Sequence, residues 1–203
     1  MKVPSRIAYR AENEGKRNFP ADRDAWGYEV EAGFKSYSWI KLLLDSKATA
    51  TDFDDPILQK EQDSVGGSIM TLPEGKTAID VTTDYLTNLY RHCIAEINKT
   101  DIKTVLPVTP IEFWFTHPAT WSDEAKAATK QAAERAGFTS RKGDTITLIP
   151  EPEAGAIAAL RSSKDSILGL KARFPVNDIL ECMLIKQRSI LAYSCVTVEA
   201  VRS

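Results

Sequence analysis

Two strand-like runs, each leading through a proline into a helix of small residues, constrain the fold of this chain more than anything else in it. The first is IEFWFTH, residues 111–117. Ile111, Phe113 and Phe115 alternate with Glu112, Trp114 and Thr116, and Trp114 makes both faces largely apolar, the pattern of a central strand. Pro118 follows it. Ser122 then stands as an N-cap, with Asp123 and Glu124 in the first turn, where carboxylates meet the positive end of the helix dipole. Ala125, Ala128, Thr129, Ala132 and Ala136 fall along one helix face, and Gly137 stops the helix as a residue able to take positive φ. The second run, TITLIP (145–150), leads into EPEAGAIAAL, where Pro152 suits a first helical turn. Strand, helix, strand, helix argues for an α/β sheet. Alanine faces let a helix lie close to a sheet or to another helix, which by itself implies packing and no chemistry.

The longest helical pattern covers residues 78–98, AIDVTTDYLTNLYRHCIAEIN. Leu86, Leu89, Tyr90, Cys93, Ile94 and Ile97 recur at three- and four-residue steps. Cys93 lies in that stripe and reads as a core residue; His92, beside it, reads as structural. Nearer the N-terminus, VPSRIAY (3–9) reads as a short strand, residues 11–24 as a hairpin or exposed loop, and WGYEVE (26–31) as a second strand. SYSWIKLLL (36–44) carries a helical stripe through Trp39, Ile40, Leu43 and Leu44, with Lys41 off it. Asp52, Asp54 and Asp55 lack metal-ligand spacing and read as a solvated loop.

Lys and Arg number 26 against 28 Asp and Glu, a formal net charge of −2. That balance argues against nucleic acid or an anionic membrane as the dominant partner. Cys93, Cys182 and Cys195 are widely spaced and form no CxxC pair, which speaks against a disulfide framework or a zinc site and for a reducing compartment. Asn98-Lys99-Thr100 is a glycosylation sequon that matters only in a secreted chain. With no apolar run of signal-peptide or membrane-spanning length, the expectation is a soluble, cytoplasmic protein.

The run THPATWSDEAKAATKQAAERAGF followed by TLIPEPEAGAIAAL resembles the first lobe of the ATPase domain of the heat-shock-seventy (DnaK-type) chaperones, and is most similar to their divergent fungal-type branch. His117-Pro118-Ala119 stands where the family has Val-Pro-Ala, Ala128-Thr129-Lys130 falls in the following helix, and Pro150-Glu151-Pro152-Glu153-Ala154 stands where the family has Asn-Glu-Pro-Thr-Ala. VPSRIAY, WGYEVE, SWIKLLL and the helix of 78–98 extend the resemblance toward the N-terminus, so that it covers residues 3 to about 162. It implies an α/β fold of the actin-like, ribonuclease-H-like kind, with ATP cleaved in a cleft between two lobes and magnesium as the cofactor. Residues 1–162 then correspond to a largely present first lobe, and 163–203 to a divergent linker and hairpin where a mostly missing second lobe begins.

By position in that family, Lys41 matches the lysine that reaches the phosphates and orients the attacking water, although a lysine beside an apolar stripe equally snorkels to solvent. Glu151 matches the glutamate that helps hold magnesium through water, and a carboxylate at a strand-to-helix junction suits that role; it equally suits the helix dipole. Pro118 matches the proline linked to coupling between nucleotide state and the rest of the chaperone, and also simply terminates a strand.

The sequence departs from the family at both phosphate loops. The opening Gly-Ile-Asp-Leu-Gly-Thr-Thr hairpin has no counterpart before VPSRIAY. In DILECMLIKQRSILAYSCVTVEA (178–200), Met183 falls at the family aspartate, Ile185, Lys186 and Gln187 at the glycines, and Arg188 at the threonine. Bulky side chains prevent the close backbone approach a phosphate cradle needs, and the stretch reads as a two-stranded hairpin with a polar IKQR turn. The expectation is a truncated chaperone-ATPase protein without autonomous ATP hydrolysis, with binding of ATP and magnesium in doubt. The alternatives are a non-catalytic interaction module that docks a protein partner or client, and an incomplete gene model of an active ATPase.

Overall fold

A computed structural model of the protein describes residues 3–45, 68–69, 71–99, 106–162, 179–180 and 196–200. The acidic cluster Asp52, Asp54 and Asp55, and residues 181–195 with Met183, Lys186 and Arg188, lie outside them. Among the described residues the architecture is mixed α/β, with two small sheets and three α-helices. The first sheet comprises β1 (Arg6–Ala8), β2 (Ala25–Trp26), β3 (Tyr37–Ser38) and β4 (Ser68–Ile69) in the order β2-β1-β3-β4. The second comprises β5 (Ile111–His117), β6 (Thr145–Pro150), β7 (Ile179–Leu180) and β8 (Val196–Ala200) in the order β6-β5-β8-β7. The helices are α1 (Ala78–Asn98), α2 (Asp123–Arg135) and α3 (Glu151–Ser162).

α1 serves both sheets. Its stripe of Tyr85, Leu86, Leu89, Cys93 and Ile97 is buried against Ile111, Phe113 and Phe115 of β5 and Ala132, Ala133 and Ala136 of the α2 region. One turn earlier, Val81 packs with Ile7, Tyr9, Tyr37 and Ile40 of the first sheet and the turn after it. Trp26 bridges the two clusters, with its ring edge-on to Tyr85 at 6.0 Å and to His92 at 5.9 Å. His92 therefore has an aromatic packing role, and Cys93 is buried in the core.

β5 is central, as its two apolar faces require: β6 pairs with it in parallel and β8 antiparallel. α2 makes the crossover between β5 and β6. The Ser122 hydroxyl accepts the Ala125 N–H at 3.2 Å and caps that helix. At the other end Gly137 takes φ +103°, Phe138 N–H reaches the Ala133 carbonyl and Gly137 N–H reaches that of Glu134. This is a Schellman closure, and it swings Phe138 into the core. Of the small face of α2 that the spacing predicts, Ala125, Thr129, Ala132 and Ala136 are buried and Ala128 is half-buried, with the buried Ala133 beside it.

The N-terminal third departs from the sequence reading in two places. Residues 36–44 are not one helix. Tyr37 pairs with Ile7 as part of β3, Trp39 takes φ 62°, and Ile40–Leu44 is a 3-10 turn. A left-handed residue cannot continue a right-handed helix, so the apolar run divides between strand and turn. Likewise WGYEVE is a strand only through Trp26. Gly27 takes φ +59°, and a Cβ there would lie 2.6 Å from Val3 Cγ1, so the chain turns into a 3-10 segment, Gly27–Glu29.

The N-terminus of α1 and the C-terminus of α2 are joined through Asp80. Its carboxylate accepts the Thr77 hydroxyl at 2.7 Å and the Thr77 N–H at 3.0 Å, and Arg135 Nη2 at 2.8 Å. These donors, Thr77 first, hold its carboxyl far below the usual carboxylate range. A depressed folded-state pKa contributes stability that is present above the unfolded value, about 4, and lost as pH falls below it. In Asp80→Asn, the acid limb of a pH series of thermal midpoints is expected to flatten, while the wild-type midpoint falls progressively as pH drops below about 4. Parallel curves for the two proteins would contradict this.

Candidate functional site

The parallel register of β5 and β6 sets His117 opposite Pro150. The next residues along the two strands, Pro118 and Glu151, therefore leave the sheet side by side at its carboxyl-terminal edge. That edge is where open α/β sheets bind ligands. Glu151 opens α3, where the helix dipole favours a carboxylate.

Lys41 reaches the same place from the 3-10 turn. Ile40 and Leu44 are buried on either side of it and fix the turn against the body of the protein. Its side chain does not snorkel to solvent: only 14% of it is exposed, and Lys41 Nζ donates to Glu151 Oε1 in an ion pair that spans 110 residues of sequence. The carboxylate partner is the outer member, 40% exposed. The two positions that the sequence resemblance marks thus touch, and the register brings Pro118 beside Glu151.

Residues that the sequence did not single out complete the site. Lys41 Nζ lies 5.5 Å from the ring centre of Trp121, within cation–π range. Trp121 is buried, stacked on the buried His117 at 6.5 Å and 14°, and packed on Leu44 and Ala125. The Pro118 carbonyl organises this corner. It accepts the Trp121 N–H at 3.2 Å, closing a turn over 118–121, and lies 2.8 Å from His117 Nδ1, a contact the Nδ1–H tautomer satisfies. Asp45, directly after the Lys41 turn, accepts the Ser122 hydroxyl at 3.0 Å. The cap of α2 and the turn that carries Lys41 are therefore fastened to each other. A proline and a tryptophan between a strand end and an N-cap were the available signal for this corner; the pairing with Lys41 left none.

A cavity of about 20 Å³ beside Lys41 is lined by Thr82, Phe115, Thr116, Trp121 and Thr129 among others. Among the described residues, the buried Thr82 hydroxyl of α1 has no hydrogen-bond partner. That volume is enough for about one water molecule and far below what a nucleotide occupies. Lys41 is engaged by Glu151. Among the described residues no group of three or more His, Cys, Asp or Glu could hold a metal ion. Among the described residues, the donor set in this arrangement does not fit a bound magnesium nucleotide.

Among the described residues, no helix is long and apolar enough to cross a membrane. Compared with protein-family models and with curated proteins, the chain matches none.

Proposed function

We propose that this chain is a lobe of the heat-shock-seventy chaperone type, with the actin-like fold, derived from an ATP-dependent folding protein and unable to hydrolyse ATP by itself. The observation that carries the reading is the meeting of Lys41 and Glu151 at the carboxyl ends of parallel β5 and β6. Each was marked by a separate stretch of the family pattern, and neither stretch refers to the other. A chance resemblance gives no reason for two such positions, 110 residues apart in sequence, to touch.

The absence of turnover follows from the chemistry of the grips. Phosphoryl transfer depends on preorganised donors and a positioned metal. The sequence carries bulky side chains at 183–188 where the family has its glycine loop, and the lysine is neutralised internally. With purified full chain, magnesium and ATP, phosphate release is expected at the buffer background. Turnover that disappears in Glu151→Gln would sink the proposal.

A further inference from the structure

We infer that the outer edge of β6 is a pairing surface for a second copy of this chain, which adds its own β6 antiparallel across a two-fold axis at Thr147. The second sheets of the two copies then join into one. The inference goes beyond the ATPase reading and does not depend on it.

β6 ends its sheet. The strand order is β6-β5-β8-β7, and among the described residues no strand pairs with the other side of β6. An edge strand presents a row of unpaired backbone N–H and C=O groups, and proteins that stay single blunt such edges with a charged residue, a proline, a bulge or a covering element. β6 reads TITLIP, with no charged residue. Its register against β5 runs unbroken from Thr145 to Pro150, so it carries no bulge, and the proline stands only at the last position. Thr145 is exposed, and Ile146, Thr147 and Leu148 are half-buried.

The order of the residues selects the occupant. Residues directly opposite each other in an antiparallel pair lie on the same face of the sheet. With Thr147 on the axis and opposite its own copy, Ile146 stands opposite the partner's Leu148, and Thr145 opposite the partner's Ile149. Ile146 and Leu148 are the registered neighbours of Phe113 and Phe115 and pack against the main core. The apolar row of Phe113 and Ile146 therefore continues into Leu148 and Phe115 of the second copy, and the half-buried pair gains apolar neighbours on its open side. The flanking charges favour the same direction. Lys142 precedes the strand and Glu153 follows it in α3; both are exposed, and neither forms an ion pair among the described residues. Antiparallel addition brings each Lys142 to the strand end that carries the partner's Glu153, whereas parallel addition sets like charges together. One short ladder is a small interface, so the expected dimer is weak and reversible.

The test is sedimentation velocity of the full chain over a concentration series, for the wild type and Thr147→Lys. The wild-type mass is expected to rise toward twice that of the monomer and no further. Thr147→Lys places two ammonium groups opposite each other on the axis and is expected to dimerise at least about tenfold more weakly. A wild type that stays monomeric throughout leaves the edge to some other extended chain and overturns the inference. So does growth past the dimer, which marks an open template, or a Thr147→Lys protein that dimerises like the wild type. A nearly isosteric pair of variants reads the register even if the lysine prevents folding. Under mild oxidation Thr147→Cys is expected to form a disulfide-linked dimer above the wild-type background, because position 147 faces itself. Thr145→Cys should not, since its two copies stand four residues apart along the strands, about 13 Å, beyond the reach of a disulfide. No cross-linking of Thr147→Cys, or equal cross-linking of both variants, overturns the inference.

Discussion

Replacing Phe138 with alanine is expected to lower the unfolding free energy by about 3–5 kcal/mol, the range for removing a fully buried aromatic side chain. Phe138 is completely buried and is the shared member of an aromatic cluster. Its ring stands edge-on to Phe113 at 4.8 Å and 89° and to Phe115 at 5.0 Å and 78°, and tilts against Tyr90 at 5.0 Å. Edge-to-face pairs add about 0.5–1.5 kcal/mol beyond area burial, and three rings lose a partner at once. Two features place the cost toward the upper end. The neighbours belong to β5 and α1, rigid elements that cannot collapse into the space. Phe138 also follows Gly137 in the Schellman closure of α2, so its backbone is held by the Ala133 carbonyl and cannot withdraw. A total stability of about 5–15 kcal/mol is usual for a domain, so the variant should be marginal at room temperature. Urea unfolding followed by circular dichroism measures it; a loss under about 1 kcal/mol would show that the cluster is not packed as described. Phe138→Leu, which keeps most of the apolar volume, should lose distinctly less.

The same cluster shows what the sequence discloses and where it stops. α1 and β5 span the residues their periodicities predict, because each carries a long, uninterrupted repeat: a 3.6-residue stripe in one, alternation in the other. The ends of α2 were legible because Ser122 and Gly137 act locally, through hydrogen bonds and a positive φ within their own turn. Residues 36–44 were not legible. An apolar run of nine residues fits a helical stripe as well as a strand followed by a turn, and the deciding facts are pairing of Tyr37 with Ile7 and the left-handed Trp39. The site divides in the same way. Lys41, Pro118 and Glu151 were marked by motif resemblance. Their convergence depends on the β5–β6 register and on the buried placement of Ile40 and Leu44, neither of which is written in any one segment. Trp121 and Asp45 escaped because their partners are distant: Asp45 meets Ser122 across 77 residues, and a cation–π contact leaves no spacing rule to read.

Trp121 is where stability and the site meet, and Trp121→Ala is expected to cost about 3–5 kcal/mol, as for other buried large aromatics. The ring touches the body through Leu44 and Ala125 and the site through Lys41 and His117. Its loss enlarges the cavity beside Lys41 from about 20 Å³ by the volume of an indole. The cavity wall already includes Thr82, Thr116 and Thr129, so water can enter the enlarged space and bond to hydroxyls. That relief argues for the lower half of the range, in contrast to the dry aromatic pocket around Phe138. The contribution of the lysine contact can be separated from packing. Lys41→Met keeps most of the apolar stem of the side chain and removes the charge with its hydrogen-bond donors. In a double-mutant cycle of Lys41→Met with Trp121→Ala, a coupling of about 0.5–2 kcal/mol is expected, the range from exposed to desolvated cation–π contacts. Denaturant unfolding of the four proteins yields that number. Coupling near zero would mean that Trp121 holds the corner by packing alone and that Glu151 by itself keeps Lys41 in place. Measurable coupling would mean that the ring and the carboxylate together fix the ammonium.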